Sequence, residues 1–312
     1  MSIEDMKQAV QGKEATMDRP SGLYHPTDFH EEIRRYMKNP NEENGLSLPW
    51  PNVKLTLKNE LYLLTGIPSM GKSTWMDNII VHSARNHGIK WATFSPESYP
   101  VKRYLSKLLW VDIGRQLHGR YFQMAPTESE IAESLEFLDS AIVLLNPEEH
   151  DKSIDALLER VEWAAKNLGV KAFLFDPYNE FSATRPRNIT ETEYVSLFLG
   201  RVRSFVNTHE VMAWIVAHPT KLKKEEVTYP DGSTVFDYAV PTAYDIAGSA
   251  NFYNKPDNII AVHRNRDRDQ NPRNIVQIKV QKARNGGDCE EGEYLLEYNY
   301  KTNGYTPYIK GY

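Results

Sequence analysis

Apolar residues fall into two alternating patterns along this chain. The first is the short solid run bounded by turn residues: Leu61–Thr65 (LYLLT), Lys90–Ser95 (KWATFS), Ile142–Leu145, Lys171–Asp176 (KAFLFD) and Met212–Ala217 (MAWIVA). Runs of this length predict buried strands. The second pattern is the helical stripe. After Leu61–Thr65 a helix is predicted from about Ser73 to Asn86. Val101–Leu117 and Thr127–Ser140 come next, with Leu105, Leu108, Leu109, Leu135, Phe137 and Leu138 as core positions. Ser153–Leu168 stops at Gly169, and Thr190–Thr208 opens with acids in its first turn. Strands alternating with helices predict an α/β fold with a mostly parallel sheet covered on both faces. Asn258–His263, Asn274–Lys282 and Glu293–Tyr298 alternate apolar and polar residues and read as late, antiparallel strands. Thr220–Asp245 is long, polar and lysine-rich near its start, so it reads as a functional loop.

The start of the chain is different. Residues 1 to about 25 are polar and read as a flexible arm. Thr27–Lys38 predicts a short amphipathic helix with Thr27 as N-cap and Phe29, Ile33 and Tyr36 near one face. It either packs on its own domain or docks on a neighbouring subunit. Asn39–Pro51 is turn-rich and serves as a linker. The expected division is 1–47 for the arm and its helix, and 48–312 for one α/β domain.

Composition narrows the class. The chain has 312 residues, 40% hydrophobic and 25% charged, with a net charge of -5. That balance argues against a uniformly basic nucleic-acid coat but leaves room for a local basic lane. Between Lys255 and Arg284 there are eight Lys/Arg against three Asp/Glu. A single cysteine, Cys289, allows no intrachain disulfide and fits a reducing, cytoplasmic setting in a bacterial or phage-infected cell. No secretory signal and no membrane-spanning run are expected.

The chemistry centres on the loop after Leu61–Thr65. Gly66-Ile67-Pro68-Ser69-Met70-Gly71-Lys72-Ser73, then Thr74, fits G-x-x-x-x-G-K-[ST] at every fixed position. Glycines let such a loop curl its N–H groups around phosphates, Lys72 reaches the β- and γ-phosphates, and the Ser73 hydroxyl suits Mg²⁺. The helix beyond it turns its positive end to the same anions. ATP or another nucleoside triphosphate, with Mg²⁺, is therefore the expected ligand. In such a sheet, ligands bind at the carboxyl ends of strands. Asp176, Glu97 and His218 all stand at predicted strand ends. Asp176 would meet the metal, Glu97 would orient a water if its strand lies near the loop strand, and His218 would reach a phosphate oxygen. Each has a plainer alternative: a capping Asp, a surface Glu, a structural His. Lys282 and Arg284 are either a surface pair or cations supplied to a neighbour's nucleotide.

GIPSMGKST, FSPE, FLFDPYNE, IVAHPTK, YDIAGSANFYNKPDN and VQKARNGG, in this order and spacing, resemble the helicase domain of Twinkle-type and phage primase–helicases, within the DnaB-like ring helicases of the RecA-like fold. The resemblance covers about Pro49 to Tyr300. It implies a replicative DNA helicase that forms a homo-oligomeric ring, taken as hexameric, on single-stranded DNA. It implies Asp176 as the Walker B carboxylate, Glu97 as general base, His218 as γ-phosphate sensor, Asn254 as a polar sensor amide and Arg284 with Lys282 as the trans-acting finger. Tyr298 would stack on the base. Lys221, Lys223 and Lys224 would meet DNA phosphates, with Arg185 and Arg187 in a second loop, and the helix at Thr27–Lys38 matches a linker that grips the next subunit. One cysteine gives no cysteine zinc site, and the stretch ahead of the loop is short for a primase domain. Primer synthesis is thus expected from a separate primase, or the chain is a fragment. The rival readings are a RecA-like recombinase or regulatory ATPase of the same fold, a small-molecule kinase, and a nucleotide-binding scaffold without turnover.

Overall fold

The computed structural model describes residues 23–38, 45–117, 125–146, 152–182, 185–220, 222, 224–228, 232, 234–246, 250–265, 274–284 and 289–308. Most of the expected polar arm lies outside these residues. Two compact units separate, Met1–Asn44 and Gly45–Tyr312. In the first, the chain enters a 3-10 turn at Pro26–Phe29 and continues as α1 (His30–Lys38). The turn begins after His25, so Thr27 is not the cap. Phe29, Ile33 and Met37 are exposed.

The second unit opens with a two-stranded ribbon, β1 (Leu46–Ser47) against β2 (Thr56–Leu57). Then come β3 (Leu61–Thr65), α2 (Lys72–His87), β4 (Lys90–Phe94), α3 (Val101–Ile113), α4 (Glu128–Ala141), β5 (Ile142–Leu144), α5 (Ile154–Leu168), β6 (Val170–Phe175), α6 (Asn179–Ser182), α7 (Glu191–His209) and β7 (Met212–Ala217). The chain finishes through β8 (Lys224–Thr228), β9 (Thr234–Tyr238), α8 (Asn251–Asn254), β10 (Asn258–His263), β11 (Ile275–Ala283), β12 (Gly292–Asn299) and β13 (Gly304–Pro307).

A nine-stranded sheet in the order β13-β12-β11-β10-β3-β7-β6-β4-β5 carries the unit. From β10 to β5 neighbouring strands run parallel, and β11, β12 and β13 add an antiparallel edge. The expected α/β sheet is therefore present, and its late strands pair antiparallel as expected, β10 with β11 and β11 with β12. On its other side β10 runs parallel to β3 and is its direct neighbour. Every residue of β3, β7 and β10 is buried, as solid apolar runs covered on both faces require.

Two cores lie on the two faces. One joins α2, α3 and α4 to Trp50, Trp75, Trp91 and Trp214; Trp50 stacks on Trp75 at 5.7 Å and Tyr62 on Trp214 at 4.5 Å. The other packs α5 and α7 through Leu157, Val161, Phe198 and Val202. Leu135, expected in the core, is exposed. Caps match the sequence signals. Thr127 and Thr190 each accept from the N–H of a glutamate three residues on, which bonds back, and Gly169 ends α5 in the left-handed region. The Thr220–Asp245 loop is corrected to a hairpin, β8 against β9, closed at its root by Thr220 N donating to Asp245 O at 2.7 Å. Among the described residues no helix is long and apolar enough to cross a membrane.

Candidate active site

β3 delivers the chain into the phosphate loop, and the loop's conformation explains its glycines. Gly66 and Gly71 have φ of 148° and 104°, and Ser69 also stands in the left-handed region at 64°. A Cβ on Gly66 would lie 2.3 Å from the Val262 carbonyl of β10, so no other residue fits there. The loop opens on a cavity of about 480 Å³ lined by Pro68, Ser69, Gly71, Lys72, Ser73 and Thr74 on one side. Glu97, His218, Arg264, Tyr298, Tyr300 and Tyr305 complete its lining.

Lys72 Nζ donates to its own loop, to Gly66 O at 2.7 Å and Ile67 O at 3.1 Å. Burial lowers its pKa to about 8, against the pull of Asp176 and Glu97. Ser73 Oγ donates to Asp176 Oδ2 at 3.4 Å. Asp176 leaves β6 beside Phe94, whose carbonyl accepts from its N–H at 2.9 Å. Burial, then the negative charge of Glu97, pushes the Asp176 carboxyl up to about 6, while Lys72 and Ser73 pull it down. A buried carboxylate and a hydroxyl on adjoining elements suit Mg²⁺, which is usually held by one or two carboxylates together with substrate phosphates and water. Among the described residues no larger cluster of His, Cys, Asp and Glu offers a full protein cage.

His218 comes directly after β7, and its Nε2 lies 3.6 Å from Glu97 Oε1. Burial and then the Lys72 charge lower the His218 pKa, with Glu97 opposing. Glu97 reaches the cavity although β4 is separated from β3 by β7 and β6, so adjacency of its strand to the loop strand is not required. The 3-10 turn Pro96–Ser98 carries it there. Thr65 Oγ1 donates to Ala217 O at 2.9 Å, pinning the ends of β3 and β7 together.

Sequence reasoning misses Arg264, Tyr300 and Tyr305 of this lining. Arg264 comes directly after β10, and its guanidinium stands 5.8 Å from the Tyr298 ring. It donates to Asn274 Oδ1 at 3.2 Å, and its buried Nε has no partner among the described residues. Tyr298, expected at the base, donates to Asn303 Oδ1 at 2.8 Å, and Tyr305 donates to Gly71 O at 3.3 Å. A strand end beside the loop strand would point to Arg264 if the partner of β3 were known from sequence.

The other expected residues stand elsewhere. Arg284, Lys282 and Asn254 gather where β3 begins, the opposite end of the sheet from the phosphate loop. Arg284 donates to Asp257 Oδ1 at 3.1 Å and Asn254 O at 2.7 Å. Lys282 donates to Tyr253 O and Pro256 O, each at 2.8 Å. Asp257 also meets Arg203 at 2.9 Å and accepts from Leu61 N. None of these residues lines the cavity of its own chain. Arg185 and Arg187 are exposed ahead of α7. Lys224 opens β8 with its ammonium 5.5 Å from the Tyr238 ring, and Lys221 and Lys223 lie outside the described residues.

No family model matches the chain. It is 35% identical over 307 residues to the Twinkle homolog protein, chloroplastic/mitochondrial, of Arabidopsis thaliana. The match takes in 94% of this chain but 42% of that protein, so the chain spans about two fifths of the relative's length. The fold matches the ATPase domain of G40P with a TM-score of 0.70 at 13% identity, covering 92% of this chain and 100% of that one. It also matches a DnaB-like replicative helicase, described with its interactions with primase, with a TM-score of 0.64 at 14% identity over 97% of this chain and 71% of that one. The resemblance to Twinkle-type and DnaB-like proteins holds over nearly the whole chain, and the α/β fold is that of DnaB-like helicase ATPase domains. The relative's name gives an organelle, so the expected bacterial or phage-infected setting draws no support from it.

Proposed function

We propose, from this kinship with Twinkle and DnaB-like helicases, that the chain is the motor part of a replicative DNA helicase, hydrolysing ATP between subunits of a ring and moving on single-stranded DNA. The observation that carries the reading is the convergence of Lys72, Ser73, Glu97 and His218 on one cavity, with Asp176 held to Ser73 behind it, at the carboxyl ends of four different strands. A scaffold that only held nucleotide would not need a carboxylate and a histidine together at the open side.

In this reading Lys72 Nζ leaves the carbonyls of Gly66 and Ile67 to meet the β- and γ-phosphates, and the loop N–H groups complete the cradle. The base lies against Tyr298 and Arg264, an aromatic ring and a guanidinium that both suit a π face. Ser73 and Asp176 would hold Mg²⁺, which when bound there neutralises charge on the β- and γ-oxygens. Glu97 orients the attacking water and takes its proton as the bond to the leaving ADP breaks. His218 touches Glu97 on one side and leads into the β8–β9 hairpin on the other, so the state of the terminal phosphate is passed to the hairpin. Lys221, Lys223 and Lys224, with Arg185 and Arg187, would meet DNA phosphates, and binding would be insensitive to sequence. Arg284 would complete a neighbour's site, supported by its distance from its own. α1 would dock on the adjoining subunit, a hexamer is the expected closure, and a primase is a candidate partner.

The test is the ATPase rate with and without single-stranded DNA, measured beside native mass and unwinding of a forked duplex. Stimulation by DNA, a ring-sized mass and ATP-dependent unwinding are expected. Hydrolysis by a monomer at the full DNA-stimulated rate would refute the shared site, and strand pairing without unwinding would favour a recombinase.

A further inference from the structure

Asp257 has no part in the proposed hydrolysis. It is a carboxylate only 5% exposed, placed directly ahead of β10. Its backbone is paired on both sides: Asp257 N donates to Leu61 O at 2.9 Å, and Arg284 N donates to Asp257 O at 3.0 Å. Its side chain repeats the same two links. Oδ2 accepts from Leu61 N at 3.2 Å, and Oδ1 accepts from Arg284 Nη1 at 3.1 Å. Arg203 Nη2 meets the same Oδ1 at 2.9 Å. One buried carboxylate therefore joins the first residue of the strand that leads into the phosphate loop to the cation assigned to a neighbour's nucleotide.

Lys282 and Arg284 differ in what their contacts leave over. An ammonium has three donors. Lys282 directs its own to three carbonyls, Tyr253 O and Pro256 O at 2.8 Å and Asn254 O at 3.3 Å, and so holds the turn ahead of Asp257. A guanidinium has five donors. Among the described residues Arg284 places two, on Asp257 Oδ1 and on Asn254 O at 2.7 Å, and its side chain is 34% exposed. It is held along one edge and keeps donors for an outside acceptor. The charge is also unbalanced, since two arginines share one carboxylate. Burial, then Arg284, lowers the Lys282 pKa, with Arg203 adding to this and Asp257 and Glu291 opposing. A buried ion pair adds little stability over apolar packing of the same size, so stability alone does not account for the arrangement. A fixed, partly exposed guanidinium in positive surroundings suits an anion brought by another molecule.

We propose that Asp257 is a positioning residue of the shared nucleotide site, setting Arg284 to meet the terminal phosphate held by a neighbouring copy. This rests on the reading of Arg284 as a cation supplied in trans. Arg203 braces the carboxylate from α7. Leu61 begins β3 and Gly66 follows its last residue, so the finger offered to one nucleotide and the cradle of the next are fixed to a single strand. Loss of the carboxylate then acts on turnover and leaves nucleotide affinity alone.

The experiment measures DNA-stimulated ATPase rates of the full chain, for each variant alone and for equal mixtures whose co-assembly is checked by native mass. Asp257→Asn keeps the shape and removes the charge. Alone, it should lose about a hundredfold in turnover, the scale for a misplaced catalytic group, and bind a fluorescent ADP analogue as tightly as the unmodified protein. Mixed with Lys72→Ala it should regain rate, because a well-set finger from the Lys72→Ala copy then faces the intact loop of the Asp257→Asn copy. Mixed with Arg284→Ala it should regain none, since neither copy supplies a well-set finger. A carboxylate that only supported its own β3 would behave otherwise, because the loop of the variant copy stays damaged whichever neighbour it has. The proposal is overturned if Asp257→Asn gains nothing from Lys72→Ala while Arg284→Ala does. It is overturned too if Asp257→Asn turns over at the unmodified rate while Arg284→Ala has lost it. Should the asparagine variant fail to fold, Arg203→Gln carries the same test, because it removes the brace and leaves Asp257 paired with Arg284. A smaller loss of turnover, restored by Lys72→Ala, is then expected, and an unchanged rate or an unrestored loss overturns the proposal. If Arg284→Ala itself keeps full turnover, or gains nothing from Lys72→Ala, the reading of a cation in trans has failed instead.

Discussion

Lys72, Asp77 and Asp176 are all buried, and burial is least favourable for their charged forms. The carboxyl of Asp176 is pushed up to about 6 and that of Asp77 up to about 7, both above the ordinary 3.8 of the unfolded chain. The folded protein therefore holds these protons over a window where the unfolded chain has lost them. Their contribution to stability is fully present on the acid side and is lost as pH rises through those values. Lys72, lowered to about 8 from 10.5, adds a penalty below about 8 that is relieved toward alkaline pH. The melting temperature of the nucleotide-free protein should accordingly rise as pH is lowered from about 7 toward about 5. Scanning calorimetry of Asp176→Asn should show a flatter profile; an unchanged slope would remove Asp176 as its source. At this scale the sequence is most legible where chemistry is local. Gly66 to Ser73 declare themselves by spacing, and Asp176 and His218 by ending apolar runs. Arg264 and Tyr305 belong to no motif, because strand pairing brings them to the loop.

Elements explain both the clear and the hidden parts. Nearly solid apolar runs identify β3, β6 and β7, since a strand buried on both faces keeps polar residues to its ends, as Thr65 and Lys171 are. The β8–β9 hairpin reads as loop in the sequence because Lys224, Glu225 and Glu226 give it no apolar alternation. β10 is recognisable as a strand of the late antiparallel set, yet its place beside the parallel β3 is not, because a sequence does not state which strand is its neighbour. That neighbourhood has a sharp consequence: Gly66→Ala drives a methyl into the Val262 carbonyl. It should remove nucleotide binding in a fluorescence titration and lower the melting temperature as well. Thr190→Ala opens the capping box at the head of α7, where Glu193 N and Thr190 Oγ1 meet at 3.2 Å. A loss of about 1 kcal/mol in urea unfolding is expected, with nucleotide affinity unchanged.

For the whole molecule the decisive arrangement is the separation of two polar clusters to opposite ends of one sheet. Arg284 cannot serve its own phosphate loop, so the proposed role as a finger would require a second copy. Arg284→Ala should retain nucleotide binding and lose DNA-stimulated turnover by about a thousandfold. Mixing it with Lys72→Ala should restore part of the rate, since some mixed interfaces then have an intact lysine facing an intact arginine. If no activity returns in mixtures that assemble, Arg284 is a clamp on Asp257 and nothing more. The fold also has an optical consequence. Trp75 lies three residues past Lys72, inside an indole cluster with Trp50 and Trp214. Native emission should therefore report what the loop is doing without any attached dye. Adding nucleotide should change the tryptophan spectrum of the unmodified protein and leave that of Lys72→Ala unaltered, so occupancy of the loop can be followed by its intrinsic light.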